Sequence, residues 1–124
     1  MKSNNSQHAE VLKELLRSNP KVKAAEIVSA EGFPVASALP RGLDEAIVSA
    51  MTAAPHSLSE NAVNDMKKGK FEQLYVKATS GYIVIRRASP KSLLIVSASR
   101  DIRLGLLLLD CQRVCEEIEW IESQ

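Results

Sequence analysis

Residues 71–99, FEQLYVKATSGYIVIRRASPKSLLIVSAS, hold three short apolar runs, 71–78, 82–86 and 92–98, separated by Thr79-Ser80-Gly81 and by Ala88-Ser89-Pro90-Lys91. Short runs rich in β-branched and aromatic residues, cut by glycine, serine and proline, read as strands joined by hairpins. The stretch therefore predicts an antiparallel three-strand meander. Its first run alternates, with Leu74 and Val76 on one side and Tyr75 and Lys77 on the other. The next two, around Tyr82-Ile83-Val84-Ile85 and Leu93-Leu94-Ile95-Val96, are apolar on both sides, as expected of strands inside a sheet with something covering each face. The alternating run is the natural edge, and an edge needs a partner or a cover.

Upstream of the meander, residues 43–68 carry the longest helical pattern. Asp44 and Glu45 suit its first turn, Lys67 and Lys68 its last, and Gly69 the position past its end. Ile47, Met51, Ala54, Leu58 and Ala62 form one apolar stripe, widened by Ala46, Ala50 and Ala53, and small residues of this kind let another backbone come close. Pro55 interrupts the pattern at a cost of about 3 kcal/mol unless the helix bends or restarts. Ser57-Leu58-Ser59-Glu60 could cap a second helix. The stripe keeps its phase across Pro55, which favours one kinked helix.

Further upstream, residues 22–30 and 33–39 read as a hairpin turning at Glu31-Gly32, with Pro34 placing the second strand at an edge or a bulge. Residues 7–17 form a short amphipathic helix with Val11, Leu12, Leu15 and Leu16 on one face, ended by Asn19-Pro20. His8 begins that stripe as a packing or surface residue rather than a ligand. Residues 1–8 are expected to be a flexible end, residues 9–118 a single domain and residues 119–124 a tail.

Downstream of the meander, Ser99-Arg100-Asp101 offer capping oxygens, and residues 102–121 are helical. Leu104, Leu107, Leu108, Cys111, Cys115 and Ile118 form the buried stripe, broadened by Leu106 and Leu109. Glu116, Glu117, Glu119 and Glu122 gather at the negative end of this helix, where the macrodipole disfavours them. A solvated, frayed last turn is the expectation, and contact with a basic partner surface is the alternative.

Composition narrows the function classes. The chain has 124 residues, with 16 basic and 15 acidic side chains and a net charge of +1, so no long-range field gathers nucleic acid or a membrane surface. No apolar run reaches the roughly 18 residues needed to span a bilayer, and the N-terminus does not resemble a signal peptide, so a cytoplasmic protein without direct membrane insertion is expected. Cys111 and Cys115 lie four apart on one helix, read as two small buried hydrophobes rather than a disulfide or zinc site. There is no phosphate loop, no dinucleotide fingerprint and no metal-spaced histidine pair. His56 beside Ser57 and Ser59 has no carboxylate placed to orient it, and helix capping accounts for the serines. Neither a catalytic residue nor a cofactor is expected. Arg86-Arg87 and Lys67-Lys68-Lys70 read as strand-edge and helix-end charges, with pairing of Arg86 or Arg87 to a partner's acids as the alternative.

The order helix, strand, strand, long helix, strand, strand, strand, helix resembles the Roadblock/LC7 family, which includes dynein light chains, Ragulator-type scaffold subunits and MglB-like polarity regulators. The likeness covers roughly residues 9–118 and is carried by Val11-Leu12-Leu15-Leu16, the hairpin from Ala25 through Gly32 to Ala36, and the meander followed by Arg103-Leu104-Gly105-Leu106-Leu107. Pro55 and the tail through Trp120 depart from the family pattern. The resemblance implies an α+β domain, an α/β/α sandwich of profilin-like class: a five-stranded antiparallel sheet with the second helix on one face and the other two opposite. It further implies a dimer, with itself or with a paralogous roadblock protein, through the third strand and the second helix. Ile47, Met51, Leu58, Ala62, Leu74 and Val76 are placed at that interface. The implied function is a non-enzymatic platform for a small Ras-like GTPase. The alternatives are a dimerising scaffold subunit of a motor or membrane-associated complex, and a small-ligand sensor.

Overall fold

The computed structural model describes residues 4–124. In chain order the elements are α1 (Asn4–Ser18), β1 (Val22–Ser29), β2 (Pro34–Ala38), α2 (Glu45–Asp65), β3 (Gln73–Ala78), β4 (Gly81–Ser89), β5 (Ser92–Ser99) and α3 (Leu104–Glu122). The strands form one antiparallel sheet in the order β2-β1-β5-β4-β3, so the meander and the upstream hairpin join through β1 and β5, and the two edges are β2 and β3. Pro34 sits on the β2 edge where the register against Val28 slips, which satisfies both options its missing N–H allows.

α1 and α3 cover one face, α1 over β1 and β2, α3 over β4 and β5, each also against the other; α2 lies opposite, on β1 and β2. The main core fills the two-helix side. Ile27, Tyr82, Val84, Leu94 and Val96 project from the sheet toward Leu12, Leu15, Leu107, Cys111, Val114 and Ile118, all buried. Cys111 and Cys115 are free thiols in this core, and burial pushes both up to about 12, so they remain protonated and unreactive at neutral pH.

Helix ends differ from the sequence reading. α1 begins at Asn4, and His8 is buried rather than part of a loose end. α2 runs on through Pro55 as one helix, as the unbroken phase of its stripe predicts, so Ser57 to Glu60 cap nothing. It starts at Asp44, whose carboxylate accepts from the N–H groups of Ala46 (2.8 Å) and Ile47 (3.1 Å). α3 begins at Leu104 behind Arg103, which makes no side-chain cap; the hydroxyl of Ser99 is used by Asp101 instead. Finally, α3 continues past Ile118 to Glu122 with Ile121 buried.

The far end of α2 closes as a Schellman turn, two residues before Gly69. Lys68 N–H donates to the Val63 carbonyl (2.9 Å) and Lys67 N–H to that of Asn64 (3.1 Å). Lys67 therefore holds the left-handed position, φ 56°, that glycine usually fills. Lys67→Gly is expected to stabilise the protein by about 0.5–1 kcal/mol, read as a higher urea midpoint, because relief of the Cβ clash exceeds the added freedom of the unfolded chain.

Candidate protein interaction face

α2 is amphipathic in an unusual sense. The residues it turns to the sheet are Val48, Ser49, Thr52 and His56, all buried, and three of the four are polar. Each polar group is satisfied locally: Thr52 donates back to the Val48 carbonyl (2.7 Å), Ser49 donates to Glu26, and His56 meets Arg87. The apolar stripe looks away. Ile47 is 60%, Met51 56% and Leu58 73% exposed, and Ala62 is exposed beyond them.

β3 completes the face. Its register pairs Leu74 with Ile85 and Val76 with Ile83, putting these four on the α2 side of the sheet. α2 packs mainly on β1 and β2, so the cover thins toward the β3 edge: Ile85 is buried and Leu74 half-buried, but Val76 is 47% and Ile83 40% exposed. An apolar groove of ≈ 170 Å³ runs between Leu43, Val48 and Met51 above and Ile83 and Ile95 below. All six residues placed at an interface by the sequence therefore share one side of the molecule. Two further members, Leu43 and Ile83, were missed. Ile83 lies in a run apolar on both faces, which reads as covered on both; the cover stops short of it. Leu106 and Leu109, expected to broaden the α3 stripe, are also more than half exposed.

The remaining polar groups near α2 are internally committed. Arg87 donates from Nη2 to Glu60 (2.9 Å) and to His56 Nε2 (2.9 Å), and from Nη1 to the carbonyls of Ser89 (3.3 Å) and Pro90 (3.4 Å). A guanidinium only donates, so His56 accepts at Nε2 and carries its proton on Nδ1. Burial, then the Arg87 charge, hold its pKa below the ordinary 6.5, while its ring stands edge-on to Phe71. Arg86 donates to Gln73 (2.8 Å). The alternative that Arg87 serves a partner's acid is corrected: it pairs with Glu60 on its own chain.

Glu26, on β1 beneath α2, is wholly buried, with one oxygen held by Ser49 and the other without a partner. Burial pushes its carboxyl from 4.5 up to about 6, against the Ser49 hydrogen bond, and the negative charges of Glu45 and Asp44 add to the rise. The folded state thus holds this proton more tightly than the unfolded chain, and the contribution of Glu26 is most favourable below pH 4.5 and falls as pH rises through 6. Glu26→Gln removes that dependence. The stability difference between wild type and variant, from urea unfolding, is expected to shift by about 2 kcal/mol in the variant's favour between acid and neutral pH.

Among the described residues there is no grouping of histidine, cysteine and carboxylates able to hold a metal, and no helix long and apolar enough to cross a membrane. The chain thus presents a sheet backed by two helices on one face, with a third helix on the other turning its apolar side outward beside an open strand edge. The profile of the Roadblock/LC7 domain matches residues 8–98, and the chain belongs to that family. It is similar to the uncharacterized protein MJ1340 of Methanocaldococcus jannaschii, 28% identical over 98 residues, 79% of this chain and 85% of that one. Its fold matches MglB of Myxococcus xanthus (TM-score 0.90, 15% identity, 99% of this chain and 92% of that). It also matches an MglB described in a tetrameric arrangement (0.87, 18%, 98% and 91%). Acanthamoeba castellanii profilin IA shares the architecture more distantly (0.64, 13%, 89% and 94%).

Proposed function

We propose that this protein is a non-enzymatic dimeric platform, acting in the cytoplasm, that binds and regulates a small Ras-like GTPase. One observation supports the dimer: the exposed stripe of α2 and the open edge of β3 lie on one side of the molecule, and together they leave the large apolar side chains Ile47, Met51, Leu58, Val76 and Ile83 to water. A two-fold axis beside β3 pairs two edges into one continuous sheet and lays one α2 across the uncovered Leu74, Val76 and Ile83 of the other. Such pairing suits a second copy, and a paralogous roadblock chain equally well. GTPase binding rests on the family likeness and on the MglB-like fold. Regulation would act through the GTPase's own catalytic groups, because Arg86 and Arg87 are occupied within the chain and no arginine finger is assigned.

The test is multiple-turnover phosphate release by small Ras-like GTPases from the same genome, with and without this protein, alongside a pull-down. Binding with an altered rate supports regulation. Binding with an unchanged rate makes the protein a scaffold subunit, and no binding to any of them sinks the GTPase reading.

A further inference from the structure

On the face of the sheet opposite α2, the start of α1 and the end of α3 meet in a buried polar cluster. His8 on α1 is 2% exposed. Glu122, on the last turn of α3 and also buried, brings its carboxylate to 3.2 Å from His8 Nε2. Ser89 and Ser92 of the β4–β5 hairpin, both buried, donate their hydroxyls to this carboxylate, one to each oxygen.

The carboxylate is thereby satisfied, and the imidazole is not. Among the described residues neither His8 nitrogen has a hydrogen-bond partner, the approach to Glu122 being close without the alignment of a hydrogen bond. A neutral ring leaves one N–H and one lone pair dry, whereas a charged ring must bury two N–H donors and a full charge. Among the described residues, the charged groups that act on the ring are Glu122 from α3, which favours its protonation, and Lys91 from the β4–β5 turn, which opposes it. Burial is the largest influence and holds the His8 pKa below the ordinary 6.5 despite Glu122.

We propose that the last turn of α3 is a latch governed by the protonation of His8: it stays seated while the ring is neutral and opens more readily once the ring is charged. Opening admits water to both ring nitrogens and to the Ser89 and Ser92 hydroxyls as Glu122 leaves them. It also lifts Ile121 away from its buried seat and widens the groove of ≈ 610 Å³ between α1 and α3, whose lining includes Val11 and Ile121. The sign follows from linkage. A hydrated ring titrates at the ordinary 6.5 and the enclosed ring below it, so the open form binds the proton more tightly; closure is firmest above 6.5 and weakens as pH falls through the enclosed value. The latch lies across the sheet from α2 and stands independently of the GTPase reading.

Hydrogen–deuterium exchange of the full-length protein between about pH 7.5 and about pH 5, corrected for the intrinsic pH dependence of amide exchange, counts such openings even when they are rare. Protection of the amides of residues 119–123 should fall several-fold toward acid while that of β1 and β5 holds, and the His8 ring, followed by NMR, should titrate below 6.5. His8→Gln cannot take up the proton, so its last-turn protection should stay level. Glu26→Gln, which removes a buried group titrating in the same range on the other face of the sheet, should leave the fall unchanged. Level protection in the wild type, or a fall that persists in His8→Gln, overturns the proposal. So does a His8 midpoint at or above 6.5, which would mean that Glu122 tightens the latch in acid, and so does an equal loss in β1 and β5, which is unfolding of the whole chain. Should His8→Gln fail to fold, the wild-type exchange and the ring titration decide alone.

Discussion

Leu58→Glu should give, in light scattering over a concentration series, the mass of a single folded chain where the wild type gives that of two. At 73% exposure this side chain supports little within its own protomer, so the change is expected to leave the unfolding free energy of the isolated chain within about 0.5 kcal/mol. In the dimer the glutamate occurs twice, related by the two-fold axis, and each copy must be stripped of water without a partner, which costs several kcal/mol per site, about 3 or more. A weakening of three orders of magnitude or greater follows from about 4 kcal/mol. Leu74→Glu tests the strand half of the same interface, although this half-buried residue also packs within its own chain. If the wild type is itself a single chain at all concentrations, the platform reading loses its foundation.

Ending the chain at Ile118 is the second large effect. Sequence alone made residues 119–124 a tail, and removal of a tail should be silent. In the structure Ile121 is 5% exposed, and the Glu122 side chain, at 6%, accepts from Ser92 Oγ (2.6 Å) and from Ser89, with His8 Nε2 at 3.2 Å. Losing Ile121 forfeits about 2 kcal/mol of burial. Losing Glu122 leaves two buried hydroxyls short of an acceptor, at about 1 kcal/mol or more each. A destabilisation of about 4 kcal/mol is expected in urea unfolding at fixed protein concentration, with Glu122→Gln recovering part of the hydrogen bonding. A shortened chain as stable as the full one would show that the last turn contributes nothing.

What was legible in the sequence followed the strength of its periodicities. The meander and hairpin could be read because short runs rich in β-branched residues end at turn residues, and Pro34 marked the β2 edge correctly. The unbroken phase of Ile47, Met51, Leu58 and Ala62 across Pro55 identified one helix, as observed. What that stripe faces was not legible in its periodicity and was expected only from the family resemblance: hydrophobicity says that a side chain avoids water, without saying whether its own chain or another provides the shelter. The inward set of α2 was hidden for the converse reason. Ser49, Thr52 and His56 look like surface residues until Glu26, Val48 and Arg87, supplied by β1, the preceding helical turn and β4, satisfy them. The buried Glu122 was equally out of reach, since its partners come from the β4–β5 hairpin, about thirty positions upstream along the chain. Capping by Asp44 was half read, as a first-turn acid.

The division of labour within α2 bears on how such a protein can change over generations. Its contacts with its own sheet use Val48, Ser49, Thr52 and His56, and its outward stripe uses a separate set. Substitutions among Ile47, Met51 and Leu58 should therefore leave the protomer's own packing intact and, if the proposed dimer forms through them, alter who is bound, while the inward set keeps the helix seated. After gene duplication, two copies could drift into partners that prefer each other over themselves through a handful of outward changes, each neutral to folding. The fold would then persist as a family of mutually selective halves, with pairing rules written on a surface that the core never reads.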